Sequence, residues 1–155
     1  MGVPVGNRTA FRSVVQLASG IRDSVRINGK ERTMEEVLVV DDEPMIRSMM
    51  KLTLGEMGYL VTGAASVEEA LNIYERDRNR FQALVTDFNL EDGTGVDILN
   101  TIKKQAQTTP AILMTGSVKI TPRESVQAGF SAFFQKPFSC LDVGREIDSL
   151  LGKAS

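Results

Sequence analysis

From Glu36 onward the chain alternates two kinds of segment, and that alternation leaves few folds open. Val37 to Val40 is an unbroken apolar run rich in β-branched residues, the pattern of a strand buried on both faces. Pro44 follows where the first turn of a helix accepts it, and Ile46, Met49, Met50, Thr53, Leu54 and Met57 recur on one side until Gly58. Tyr59 to Gly63 reads as a second strand, after which Ser66 and Glu69 form a capping box for a helix burying Val67, Ala70, Leu71 and Tyr74. Phe81 to Thr86 is a third strand and ends directly at Asp87.

The second half keeps the same rhythm. Val96, Ile98, Leu99 and Ile102 mark a helix that fades before Thr108-Thr109-Pro110, and Ala111 to Met114 is a fourth strand. Thr121, Pro122 and Glu124 start a short helix that stops at Gly129, and Ser131 to Phe134 is a fifth strand. Ser139 and Asp142 cap a last helix carrying Leu141, Ile147, Leu150 and Leu151, which Gly144 weakens by about 1 kcal/mol. Five strands alternating with five helices predict an α/β fold, a doubly wound parallel sheet built with right-handed crossovers.

Composition narrows the chemistry. There is no histidine among the 155 residues, so no His-dependent triad, histidine-ligated metal or phosphohistidine on this chain is available. The single cysteine, Cys140, forms no disulfide within the chain and no structural zinc site, and reads as an ordinary small residue of the last helix. Carboxylates, hydroxyls, lysine and hard cations remain, the ligand set of Mg²⁺. No apolar run approaches the roughly 20 residues of a membrane span, and Met1 to Ala10 lacks a signal-peptide core.

Charge divides the chain. Residues 1–35 carry six basic side chains (Arg8, Arg12, Arg22, Arg26, Lys30 and Arg32) against three acidic ones, whereas the overall net charge is -2. This places a basic extension at 1–35 before a domain at 36–152. Phe11, Val14, Val15, Ala18 and Ile21 recur at helical spacing, so an amphipathic helix is expected over 8–19, with Asn28-Gly29 as a turn. Packing on the domain, pairing between protomers and docking on a partner are its candidate uses, with membrane-surface binding the weaker reading.

In an open parallel sheet, ligands sit at the carboxyl ends of the strands. Those ends carry Asp41 and Asp42, Asp87, Thr115 and Lys136, all polar and each just past an apolar run. Phosphoryl transfer to a carboxylate fits them. Asp87 is the expected nucleophile, with Mg²⁺ (or Mn²⁺) held by Asp42, Asp87 and the main-chain carbonyl of Asn89, and with Asp41 orienting metal-bound water. Lys136 and Thr115 would supply charge and a hydroxyl to the phosphoryl oxygens.

These residues lie in motifs that resemble the receiver domains of two-component response regulators, the CheY-like superfamily. The motifs are Val39-Val40-Asp41-Asp42-Glu43-Pro44, Thr86-Asp87-Phe88-Asn89-Leu90, Gly93-Thr94-Gly95, Met114-Thr115-Gly116 and Phe134-Gln135-Lys136-Pro137-Phe138. The resemblance spans residues 36–152 and implies a flavodoxin-like sheet of strand order 2-1-3-4-5 and a cis Lys136–Pro137 bond. It also implies a cytoplasmic phosphoprotein that takes its phosphoryl group from a sensor histidine kinase or histidine phosphotransfer protein and sheds it by self-dephosphorylation. Thr115 and Phe133 would then be the switch pair, and helix four, strand five and helix five the signalling or dimerisation surface.

Four departures from the family pattern stand out. Glu91 occupies the usual place of a proline, Gly116 that of an alanine, neither Asn89 nor Ser117 offers an ionised group to steer hydrolysis, and the interval from Thr115 to Pro122 predicts an irregular segment at 116–121. Too few residues follow Leu151 for a helix-turn-helix, so direct DNA binding is not expected. A phosphorylation-independent binding module, a phosphate relay or sink, and a receiver excised from a hybrid kinase remain alternatives. A haloacid-type aspartyl-phosphate hydrolase is disfavoured, because its acid/base aspartate would fall at Asn89.

Overall fold

The buried apolar runs set the architecture. A computed structural model describes residues 11–17, 20–27, 29–105 and 108–153, and divides the chain into two compact units at the Glu35–Glu36 junction. In the N-terminal unit, β1 (Phe11–Leu17), β2 (Gly20–Ile27) and β3 (Lys30–Thr33) form an antiparallel sheet in that order. β1 pairs with β2 from Phe11 opposite Arg26 to Leu17 opposite Gly20, and β2 pairs with β3 from Ser24 opposite Thr33 to Ile27 opposite Lys30.

This corrects the amphipathic helix expected over 8–19, of which residues 8–10, 18 and 19 lie outside the described residues. Val14 and Val15 satisfy helical and strand spacing alike. Their β-branching, that of Val25 on the facing strand, and the ladder bonds of a hairpin decide for the sheet. Gly29, at φ +77°, makes the turn between β2 and β3 in a backbone region open to glycine.

The second unit follows the expected alternation. Its strands are β4 (Glu36–Val40), β5 (Leu60–Ala64), β6 (Ala83–Asp87), β9 (Ala111–Thr115) and β10 (Ala132–Gln135). They pair in parallel in the order β5-β4-β6-β9-β10, which is 2-1-3-4-5 counted within the unit. A two-stranded ribbon, β7 (Asn89–Leu90) with β8 (Gly93–Thr94), interrupts the loop after β6. The helices are α1 (Pro44–Glu56), α2 (Val67–Arg76), α3 (Gly95–Lys104), α4 (Pro122–Ala128) and α5 (Cys140–Leu150).

Strand residues alternate between two cores. Leu38, Val40, Leu84 and Leu113 meet Ala70, Tyr74, Ile98 and Ile102 of α2 and α3 on one side. Val37, Val39, Val85, Ile112 and Met114 meet Met50, Leu54, Val143 and Ile147 of α1 and α5 on the other. A core on each side of the sheet is why each strand reads as an unbroken apolar run rather than an alternating one. Two expected core residues do not take part: Met49 and Leu141 are exposed, each on the outer flank of its helix.

Local sequence explains the helix ends. Ser66, Thr94, Thr121 and Ser139 all accept from the backbone N–H three residues on. At Thr94 and Thr121 the box is reciprocal, through Asp97 and Glu124, whereas Glu69 accepts from Ala65 N instead of returning to Ser66. Gly144 has a packing reason despite its helical cost: a Cβ there would press on the Met57 thioether and lie 3.1 Å from Leu54 Cδ2, so α5 runs close against α1. No helix among the described residues is long and apolar enough to cross a membrane.

Residues 116–120 form no regular element, and α4 is seven residues long, about two turns. So short a helix depends heavily on its ends. Thr121→Ala removes the side-chain acceptor for Glu124 N and is expected to cost about 1 kcal/mol in urea denaturation, with faster amide exchange confined to α4.

Candidate functional site

Each strand of the second unit ends where its apolar run ends, and the polar residues that follow meet at one rim of the sheet. Asp41 directly follows β4, its backbone N–H bonded to Ala64 O at 3.0 Å. Its side chain is fully buried, and Oδ1 accepts from Glu43 N at 2.9 Å. Arg47 on the first turn of α1 donates to the Asp41 carbonyl at 2.6 Å, fixing the turn from both sides. Asp42 is exposed. Asp87 closes β6 and is only 6% exposed.

Lys136 follows β10, and its N–H bonds Thr115 O at 2.8 Å. The ammonium donates to Asp41 Oδ2 at 2.9 Å, Glu43 Oε1 at 3.2 Å and Asp87 Oδ2 at 3.3 Å. The Lys136–Pro137 peptide bond is cis. One carboxylate oxygen from each of Asp41, Asp42 and Asp87 lies within 4.8 Å of the others. Such a set is all oxygen and carries three negative charges, which suits a hard divalent cation and no soft one.

Burial shapes the ionisation of this cluster. The Asp87 carboxyl is pushed up to about 6, first by burial and then by the neighbouring Asp41 charge, with Lys136 opposing. Asp41 is also raised by burial, against the pull of the Glu43 N–H and the Lys136 ammonium. Burial draws Lys136 down, but the bonds and charges of Asp41, Asp87 and Glu43 outweigh it and hold the ammonium above its ordinary value. The lysine therefore stays charged across the physiological range.

The remaining expected residues have definite places. Thr115 ends β9 fully buried, and its Oγ1 accepts from Ser117 N at 2.9 Å. Asn89 is exposed on β7, opposite Thr94. Phe133 is half-buried against the core on the α2–α3–α4 side, while Phe134, the next residue, packs on the α1–α5 side with its ring 6.3 Å from Phe138.

Three contributors, Glu43, Asp92 and Gly95, were not among the site residues expected from the sequence. Glu43 reaches the ammonium. Asp92 caps α2 with both carboxylate oxygens, accepting from Val67 N at 2.8 Å and Glu68 N at 2.9 Å, so the ribbon after Asp87 is tied to a helix. Those N–H bonds, Glu68 first, hold the Asp92 carboxyl below its usual range. Gly95 lies against the phosphoacceptor candidate itself: a Cβ would sit 2.5 Å from Asp87 O and 2.8 Å from Thr86 Cγ2. The Gly93-Thr94-Gly95 motif was the signal for it; the reason is steric.

Comparison with known proteins bears on the family of the chain. A sequence model of the family described as the response regulator receiver domain matches residues 37–147. The chain belongs to that family. Among curated relatives of this receiver, the response regulator protein PilR of Pseudomonas aeruginosa is 35% identical over 113 residues, which is 72% of this chain and 24% of PilR. The two-component response regulator PhoP of the same organism is 27% identical, with 77% of this chain and 53% of PhoP aligned. The receiver thus spans only part of those longer proteins.

Among solved structures, a response regulator receiver domain protein from Clostridium thermocellum superposes on the receiver with a TM-score of 0.72 at 28% identity, covering 77% of this chain and 95% of that one. The chemotaxis response regulator CheY4 of Vibrio cholerae gives 0.66 at 31% identity, covering 74% and 99%.

Three outcomes follow from the geometry. A raised carboxyl pKa means the folded state resists ionising Asp87, so its penalty is absent below about pH 4 and complete above about pH 6. In metal-free buffer, Asp87→Asn should therefore raise unfolding free energy by roughly 1–3 kcal/mol at neutral pH and by nothing at about pH 4, measured by urea titration across a pH series. Gly95→Ala should cost about 1–3 kcal/mol by overpacking. Gly116→Ala, whose Cβ would meet Lys136 Cβ at an ordinary 3.7 Å, should change stability by less than about 0.5 kcal/mol.

Proposed function

We propose that this receiver accepts a phosphoryl group on Asp87 from the phosphohistidine of a sensor histidine kinase or a histidine phosphotransfer protein, acting in the cytoplasm. One observation carries the reading: a single ammonium, Lys136, joins the nucleophile candidate Asp87 to the Asp41 carboxylate at the rim where Asp42 completes a three-carboxylate cluster. A permanent cation beside a buried carboxylate is what an incoming phosphoryl group requires.

Asp41, Asp42 and Asp87, with the main-chain carbonyl of Asn89, would hold Mg²⁺ or Mn²⁺, which when bound neutralises phosphoryl oxygens. The chain's own groups do the rest. At neutral pH the Asp87 carboxyl, pushed up to about 6, is mostly ionised and able to attack. An Asp87 oxygen forms a bond to phosphorus, the phosphorus–nitrogen bond of the donor breaks, and the imidazole leaves with the electron pair. Lys136 donates to a phosphoryl oxygen. Thr115, whose oxygen already accepts from Ser117 N, keeps its own proton to donate to another.

Surface chemistry supports protein partners at both ends of the exchange. Met45 and Leu52 of α1 are 72% and 66% exposed, and an apolar cleft of about 420 Å³ beside Lys136 is lined by Ile46, Met49, Pro137 and Phe138. Contiguous exposed apolar groups of this kind mark contact surfaces. Val118 and Val126, before and within α4, are likewise exposed, as is Leu141 on α5. They support output through the α4–β10–α5 face, with Thr115 and Phe133 as the switch and a homodimer as one use of the face.

The test is intact mass after incubation with Mg²⁺ and acetyl phosphate. A gain of about 80 Da is expected for the native chain, lost without Mg²⁺ and absent from Asp87→Asn. No adduct, even with rapid quenching and supplied kinases, would move the reading to a phosphorylation-independent binding module.

A further inference from the structure

The lysine of this site has no spare N–H. Its three protons go to Asp41, Glu43 and Asp87 at 2.9, 3.2 and 3.3 Å. Phosphoryl oxygens arriving at Asp87 can be met by Lys136 only if one of these bonds yields.

The three carboxylates are not equally able to yield. Asp41 is wholly buried, and its other oxygen is held by Glu43 N. Releasing it would strand a charge away from water, at high cost. Asp87 is the group being modified. Glu43 is 61% exposed, so water takes over its carboxylate as soon as it swings away.

Glu43 is the N-cap residue of α1, where Ser, Thr, Asp or Asn is favoured because a short side chain reaches back to the helix N–H groups. Its side chain makes no such cap bond. It is turned to the Lys136 ammonium instead, leaving the first helical turn to Pro44.

We propose that Glu43 is a positioning residue: a resting-state counter-ion that holds the Lys136 ammonium at the mouth of the site and is displaced by the incoming phosphoryl oxygens. The inference rests on Asp87 as phosphoacceptor. Glu43 thereby sets how readily the site admits an anionic donor, because its carboxylate competes with the phosphoryl group for one N–H. Gln in its place removes the competitor. Asp keeps the charge but is one methylene short of the ammonium.

The whole chain is compared as native protein, Glu43→Gln and Glu43→Asp, each followed by intact mass with acetyl phosphate and Mg²⁺ at low and high salt. Glu43→Gln is expected to gain the adduct about two- to five-fold faster, the range of a part-exposed ion pair. Glu43→Asp should move in the same direction, and added salt should shrink both differences. Mg²⁺ affinity by calorimetry should be the same in all three.

Equal rates for Glu43→Gln and a phosphorylated native chain overturn the inference and leave the phosphoacceptor reading standing. A fast Glu43→Gln beside a native-like Glu43→Asp also overturns it, because local charge rather than the ion pair is then at work. So does a loss of Mg²⁺ affinity in Glu43→Gln, which would place Glu43 in the metal site. A native chain that gains no adduct overturns both readings together.

Discussion

Two carboxylates buried side by side at the end of a sheet are unstable company, and the Lys136 ammonium is what makes them tolerable. The lysine follows the edge strand β10, yet its charge meets Asp41 at the end of β4, three places away in the sheet. Everything that holds the strands in that order also holds this contact. The tie costs desolvation on both sides, and burial still leaves Asp87 with a raised pKa. The site is poised rather than relaxed.

Packing carries that poise into the body of the domain. One face of the sheet is covered by α1 and α5, the other by α2, α3 and the segment around α4. Close approaches without a Cβ occur where precision matters, at Gly144 between α5 and α1 and at Gly95 against the Asp87 carbonyl. Asp92 anchors the ribbon beyond Asp87 to the start of α2. By contrast, the bonds of the stretch after Thr115 among the described residues are short-range, Ser117 N to Thr115 and Lys119 N to Ser117, with Ile120 buried as its far anchor. The Asp87 side of the rim is thus tied into the fold by more long-range contacts than the segment after Thr115.

Much of this was legible in the residues. Strands buried on both faces need continuous apolar runs, so β4, β6 and β9 announced themselves as Val37 to Val40, Phe81 to Thr86 and Ala111 to Met114. Capping residues located α2, α4 and α5 within a residue of their observed starts. Misreadings arose where a pattern served two periods at once. Phe11, Val14 and Val15 fit a helix face as well as a strand, and pairing partners that a one-dimensional reading does not see settled the matter. Met49 and Leu141 sat at core spacing but on the flank their helices turn outward.

Residue type and strand-end position, both properties of the linear chain, were enough to nominate Asp41, Asp42, Asp87, Thr115 and Lys136 and to exclude histidine chemistry. Which carboxylates share the ammonium, how deeply each is buried, and why glycine stands at position 95 belong to the folded molecule. Charge interactions depend on distance and burial, and the distance between Glu43 and Lys136, 93 residues apart in the chain and 3.2 Å apart in space, exists only once the parallel sheet has brought its strand ends together.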